Sequence, residues 1–110
     1  MTPDQAEFLF LDSEDPDWLQ VVRQAAIGDW IAPEQGATLF LQVPRPGGSR
    51  ARLTGPGVPA DQVADLPLLP AAFWDERSRA IAPPLGWDLF LTTRHGVMGL
   101  PRTTRLEVLG

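Results

Sequence analysis

Apolar and polar residues alternate with two different periods along this chain, and the switches between them lay out the elements. Ala6–Leu11 (AEFLFL) has the strand period, with Phe8 and Phe10 on one face and Leu9 and Leu11 on the other. Both faces are apolar, so the pattern predicts a strand covered on both sides rather than an edge. The period then lengthens. Asp15 is placed to cap a helix, Pro16 suits the first helical position, and Asp17 complements the positive end of the helix dipole. Trp18, Val21, Val22 and Ala25 form an apolar stripe, and Gly28 is expected to end the helix in a left-handed conformation, after about 11 residues.

The strand period returns at Ala37–Val43, with Ala37, Leu39, Leu41 and Val43 on one face and Thr38, Phe40 and Gln42 on the other. Pro44-Arg45-Pro46-Gly47-Gly48-Ser49 has turn chemistry. Arg50–Thr54 is a short strand with Ala51 and Leu53 inward and Arg50, Arg52 and Thr54 outward, so a hairpin with a long loop is expected here. Gly55-Pro56-Gly57 breaks it. Val58–Leu66 reads as a loop with room for one helical turn from Pro59. Leu69–Ile81 reads as a second helix, with Leu69, Ala72, Phe73 and Ala80 on one side and Trp74 beside them, stopped by Pro83-Pro84.

The clearest sheet signal lies in Pro83–Val108. Trp87–Thr92 and Val97–Leu100 are strands around a turn at Thr93-Arg94-His95-Gly96, and Thr104–Leu109 supplies one more. The expectation is therefore one domain, residues 1–110, of α/β content but α+β-like: a mixed, largely hairpin-built sheet of six strands with two helices. Two helices can cover one face of such a sheet. A missing segment, a second copy or a partner subunit is expected to cover the rest.

Composition narrows the chemistry. The chain has 110 residues, no cysteine and one histidine, which removes disulfides, thiolate ligands, cysteine nucleophiles and a multi-histidine metal site within the chain. All nine basic residues are arginine. Without lysine there is no Schiff-base amine and no Walker-A lysine. A net charge of −5 disfavours non-specific nucleic-acid binding. No run approaches the ~20 apolar residues of a membrane span. The N-terminus lacks a basic region and an apolar signal core, so a cytoplasmic location is expected.

Few residues remain as candidates for chemistry. His95 could act as a general base, or be a solvated turn residue; nothing at triad spacing orients it. Arg50, Arg52, Arg102 and Arg105 could combine into an anion site, or form a charged sheet face or a subunit contact. Gly55 and Gly57 sit as in a phosphate loop, but the third glycine and the following helix of a dinucleotide fingerprint are missing, and a turn requiring positive φ explains them. Trp18, Trp30, Trp74 and Trp87 suit core or interface packing. Asp29 and Asp88, beside Trp30 and Trp87, are not brought together by any spacing. No catalytic, cofactor-binding or metal-binding residue is assigned, which favours binding or assembly over independent catalysis.

Four segments carry a resemblance: Ala32-Pro33-Glu34-Gln35-Gly36-Ala37-Thr38-Leu39, Arg52-Leu53-Thr54-Gly55-Pro56-Gly57, Pro84-Leu85-Gly86-Trp87-Asp88-Leu89 and Leu100-Pro101-Arg102-Thr103-Thr104. In this order and with similar separations, they resemble the PhnH family, the H subunit of the bacterial carbon–phosphorus lyase system. The resemblance runs from about Ala6 to the C-terminus, and family members are considerably longer. This chain is similar to their C-terminal part, with the N-terminal part expected to be missing. The resemblance implies a fold related to the large domain of pyridoxal-phosphate-dependent transferases, without the cofactor. It implies a homodimer that joins G, I and J subunits in a core complex. That system attaches a phosphonate to the ribose of ATP, displacing adenine, before a radical iron–sulfur subunit cleaves the C–P bond. It supplies no catalytic residue to carry over, so the expected role is structural. A small anion- or nucleotide-binding module using the arginines is the alternative.

Overall fold

The computed structural model describes residues 5–28, 30–45, 47–60, 62–82 and 84–109. Among these, seven strands and two α-helices follow in the order β1 (Phe8–Asp12), α1 (Trp18–Arg23), β2 (Thr38–Gln42), β3 (Gly48–Thr54), β4 (Gln62–Pro67), α2 (Ala71–Ala80), β5 (Asp88–Thr93), β6 (Gly96–Leu100) and β7 (Arg105–Val108), with a short 3-10 turn at Pro33–Gln35. They form a four-stranded sheet in the order β1-β2-β5-β6 and a three-stranded sheet in the order β4-β3-β7.

In the larger sheet β1, β2 and β5 are parallel, and only β6 runs antiparallel, as the return strand of the β5–β6 hairpin. The register sets leucine against leucine and phenylalanine against phenylalanine: Leu9↔Leu39↔Leu89 and Phe10↔Phe40↔Phe90. A period of two therefore sorts the strands into a leucine face and a phenylalanine face. The leucine face is buried, with Leu39, Leu41, Leu89, Leu91 and Leu100 at 2% exposure or less. It shares one core with Ala51, Leu53 and Leu66 of the smaller sheet and with Trp18, Val22, Phe73 and Trp74 of the helices. Phe73 is central, its ring 5.4 Å from Trp18, 4.9 Å from Trp74 and 6.0 Å from Trp87.

Several expectations need correction. Hairpins do not dominate, because the larger sheet is mainly parallel. β2 and β3 make no hairpin; both edges of β2 are taken, by β1 and β5, so β3 pairs instead with β4 and β7. The two strands differ in kind. β2 carries Phe40 between Thr38 and Gln42 on its second face, whereas β3 alternates strictly between buried and exposed residues and suits a sheet with one face in water. β1 is an edge strand after all, with Phe8 57% and Phe10 77% exposed. β4 stands where a loop was expected. Asp65 and Pro67 mask its pattern, and six residue pairs with β3 hold it in place.

The helices differ in their ends. α1 stops at Arg23, well before Gly28, although Gly28 does take positive φ. The backbone beyond it is used elsewhere: Ala26 O accepts from Ala37 N and Ile27 O from Gly86 N, so pairing with other parts of the chain outcompetes helix propagation. Asp17 rather than Asp15 occupies the cap position and makes no side-chain cap bond. In α2 the buried side chains are Phe73, Trp74 and Arg77, while Ala72 is exposed. Trp18, Trp74 and Trp87 are core residues, and Trp30 is 71% exposed. Gly55 and Gly57 have positive φ, as a turn requires, and β4 rather than a helix follows them.

Candidate functional site

The segment Pro101–Thr104, between β6 and β7, is tied to four other parts of the chain. Asp88, at the start of β5, accepts three hydrogen bonds from Arg102: backbone N to Oδ1 at 2.8 Å, Nε to Oδ1 at 3.3 Å and Nη2 to Oδ2 at 3.2 Å. From α2, Arg77 Nη2 donates to Pro101 O at 3.1 Å and to Thr104 O at 3.0 Å. Two glycines allow the closest approaches. A Cβ on Gly55 would sit 2.7 Å from Thr103 O, in backbone already at φ +132°. A Cβ on Gly36 would lie 2.6 Å from Arg102 Nη1 and closer still to Gly86 O. Any other residue at these points would force the segments apart.

The electrostatics of the knot follow from burial and pairing. Burial pushes the Asp88 carboxyl up, but the hydrogen bonds from Arg102, with the charges of Arg102 and Arg77, outweigh it and hold Asp88 below its ordinary value. Burial lowers Arg77 to about 10, and the Asp88 charge pulls it back only in part. Arg77 is 4% exposed, and its Nε has no hydrogen-bond acceptor among the described residues. The knot acts as a clamp: its carboxylate is engaged by Arg102, and the Pro101 and Thr104 carbonyls by Arg77.

The arginines singled out from the sequence divide between two places. Arg50, Arg52 and Arg105 lie on the solvent face of the smaller sheet. There Arg50 stands opposite Asp65, Arg52 opposite Glu107, and Arg105 opposite Thr54. Arg102 is engaged in the knot with Asp88. His95 is exposed in the β5–β6 turn, where its backbone N donates to Thr93 Oγ1 at 3.1 Å. It lines a depression of about 240 Å³ with Asp65 and Thr93. Asp29 lies outside the described residues. Arg77 was not foreseen; an arginine four residues after Phe73, inside the apolar stripe of α2, is the signal that would have found it. Among the described residues no group of His, Asp and Glu is arranged to hold a metal ion, and no helix is long and apolar enough to cross a membrane.

The second distinctive surface is the phenylalanine face. Phe10 stacks on Phe40 at 4.9 Å and 10°, and Phe40 on Phe90 at 5.2 Å and 12°, with Phe8 6.4 Å from Phe40. Val97, on the same face of β6, is 69% exposed. Among the described residues, packed cover lies on the leucine side. A parallel sheet left open on an apolar face is unusual in a finished fold.

Fold and site together define a mixed α/β domain with a clamped loop and a bare aromatic sheet face. The chain belongs to the PhnH family: the family profile described as "Bacterial phosphonate metabolism protein (PhnH)" matches residues 1–107. It is 43% identical over 86 residues to a putative C-P lyase subunit protein, HtxG, of Stutzerimonas stutzeri, a match that covers 76% of this chain and 44% of that protein. It is 39% identical over 87 residues to the alpha-D-ribose 1-methylphosphonate 5-triphosphate synthase subunit PhnH of Rhizobium meliloti (strain 1021), covering 76% of this chain and 43% of that protein. The chain spans less than half the length of these relatives. All four segments that carried the resemblance meet at the knot, through Gly36, Gly55, Asp88 and Arg102–Thr104.

Proposed function

We propose that this chain is an assembly subunit of a carbon–phosphorus lyase core complex, the machinery that joins an organic phosphonate to the ribose of ATP, and that it has no catalytic centre or cofactor of its own. The observation that carries the reading is the phenylalanine face. Both crossovers between parallel strands, β1-α1-β2 and the longer β2-to-β5 passage, place their packed elements on the leucine side. The three stacked rings, with Phe8 tilted against Phe40, are left for another polypeptide to cover, and the relatives are more than twice the matched length. The occupant in this reading is a subunit of the G, I or J type. The chain is then a single cytoplasmic domain equivalent to the C-terminal part of the family fold, related to the pyridoxal-phosphate transferase large domain, and it pairs as a homodimer through a separate surface.

Co-expression with G-, I- and J-type subunits tests this directly: the chain is expected to co-purify with them and, alone, to show no transfer of methylphosphonate to ATP. Transfer by the purified chain would overturn the non-catalytic role. A second reading, a small anion- or nucleotide-binding module, is favoured by the placement of Arg50, Arg52 and Arg105 on one solvent face, with Arg102 as the remaining candidate contact. Asp65 and Glu107 opposite two of them weaken that face as an anion site.

A further inference from the structure

The phenylalanine face ends on one side in a polar row. The register places Asp12 beside Gln42, Gln42 beside Thr92 and Thr92 beside Val97, next to the row Phe10, Phe40 and Phe90 on the same face. This is the carboxyl end of the three parallel strands, where open α/β sheets form their clefts. A cavity of about 330 Å³ lies there, and its lining includes Phe10, Phe40, Asp12, Asp15, Gln42 and Thr92. The stacked rings of Phe10 and Phe40 supply its apolar part, and Phe10 is 77% exposed.

The polar groups of this cleft are acceptors that no cation meets. Asp12 Oδ1 accepts from Glu14 N at 2.9 Å, and the rest of that carboxylate is open. The Thr92 hydroxyl donates to Leu41 O at 3.5 Å, which leaves its lone pairs to accept, and Gln42 adds an amide carbonyl. Among the described residues neither Asp12 nor Asp15 makes an ion pair, and the cavity lining holds no basic residue. Glu76 and Asp88, by contrast, are each met by arginine. The rim segment Asp12-Ser13-Glu14-Asp15-Pro16-Asp17 has four acidic residues and no basic one.

Carboxylates beside an open aromatic ring match a guanidinium. It carries donors only, stacks flat on a ring, and forks two hydrogen bonds to a carboxylate. The rest of the face calls for apolar groups on the same occupant. Phe8 and Val97 lie outside the cavity and are 57% and 69% exposed, and a small free cation would leave them bare.

We propose that the partner covering the phenylalanine face does so with an arginine-bearing segment. Its apolar residues lie on the rings, and its guanidinium enters the Asp12–Asp15 cleft beside Phe10. The inference rests on the reading of this face as a docking surface and names the chemistry of what docks.

The probe is a short synthetic peptide alternating leucine and arginine, compared with a counterpart carrying glutamine for arginine. Calorimetry on the full chain gives the affinity, and backbone amide spectra give the place. The arginine peptide is expected to bind saturably and to move the signals of Asp12, Gln42 and Thr92, and the glutamine peptide to bind more weakly. Asp12→Asn/Asp15→Asn is expected to weaken binding about tenfold and to flatten its dependence on sodium chloride. Asparagine keeps the side-chain oxygen that accepts from Glu14 N, so the turn is retained. Asp65→Asn/Glu107→Gln removes the same charge from the smaller sheet and should leave affinity near that of the parent. No saturable binding, equal binding of the two peptides, or equal loss in the two double variants overturns the proposal. So do signals of this face that move on dilution of the chain alone, which identify a second copy as the occupant. Co-purification with G-, I- and J-type subunits tests the underlying reading by itself, so its failure and the loss of the arginine preference are separate results.

Discussion

Arg102→Ala, combined in a double-mutant cycle with Asp88→Ala, measures what holds the knot. The Arg102 side chain is 15% exposed and gives Asp88 two hydrogen bonds, at 3.3 and 3.2 Å, while its backbone N gives a third at 2.8 Å. Hydrogen bonds to charged groups contribute about 1.5–3 kcal/mol each when fully buried. Asp88, however, is 37% exposed, and water will take up its carboxylate when the guanidinium leaves. The pair is therefore worth less, about 1–2 kcal/mol for Arg102→Ala and about 1 kcal/mol for the coupling between the two side chains. Urea denaturation at pH 7, analysed by linear extrapolation with a shared slope, reads both quantities. Repeating the cycle at higher salt should shrink the coupling only slightly, because the pair is partly shielded from counter-ions. A coupling indistinguishable from zero, below about 0.3 kcal/mol, would show that Arg77 and packing alone hold the loop.

Three further outcomes follow. Gly55→Ala is expected to cost about 2–4 kcal/mol, since it adds a Cβ 2.7 Å from Thr103 O in backbone at φ +132°; a fall in melting temperature of several degrees or more checks it. Asp88 sits below its ordinary value when folded, so it contributes stability above about pH 4 that is lost as the pH falls through the folded value; in Asp88→Asn the denaturation midpoint should fall less steeply on the acid side. His95→Ala should leave stability within about 0.5 kcal/mol of the parent in the same urea assay, because the side chain is exposed at a turn.

The sequence disclosed the strands whose residues alternate cleanly. The period puts Leu39 and Leu41 on one face and Ala51 and Leu53 inward, and all four are buried. The β5–β6 hairpin around His95 was equally visible, because its turn is local. What could not be read were decisions made between distant segments. Parallel pairing of β2 with β1 and with β5 leaves no local mark, and a two-sided apolar strand such as Phe8–Asp12 looks the same at an edge as in the middle. β4 was hidden because Asp65 and Pro67 interrupt its pattern, and pairing with β3 overrides that signal. The knot is half legible: Arg102 stands out as a charge, but its partner Asp88 lies fourteen residues away, and Arg77 carries no local sign of its contacts to Pro101 and Thr104. The uncovered sheet face, by contrast, was foreseen from a simple count of helices against apolar faces.

The reading of this chain as an assembly subunit depends most on what covers the phenylalanine face, and one measurement addresses it. Phe8→Ser/Phe10→Ser removes two rings that are 57% and 77% exposed in the isolated chain. The Phe10–Phe40 stack at 4.9 Å contributes about 0.5–1.5 kcal/mol, so the variant should remain folded, which its urea midpoint will show. Rings buried in an interface core commonly contribute 2 kcal/mol or more to binding, which corresponds to at least about 30-fold in affinity. Quantitative co-purification with co-expressed G-, I- and J-type subunits is expected to succeed for the parent chain and fail for the folded variant. Equal recovery of both, or no association of the parent chain, would contradict the account.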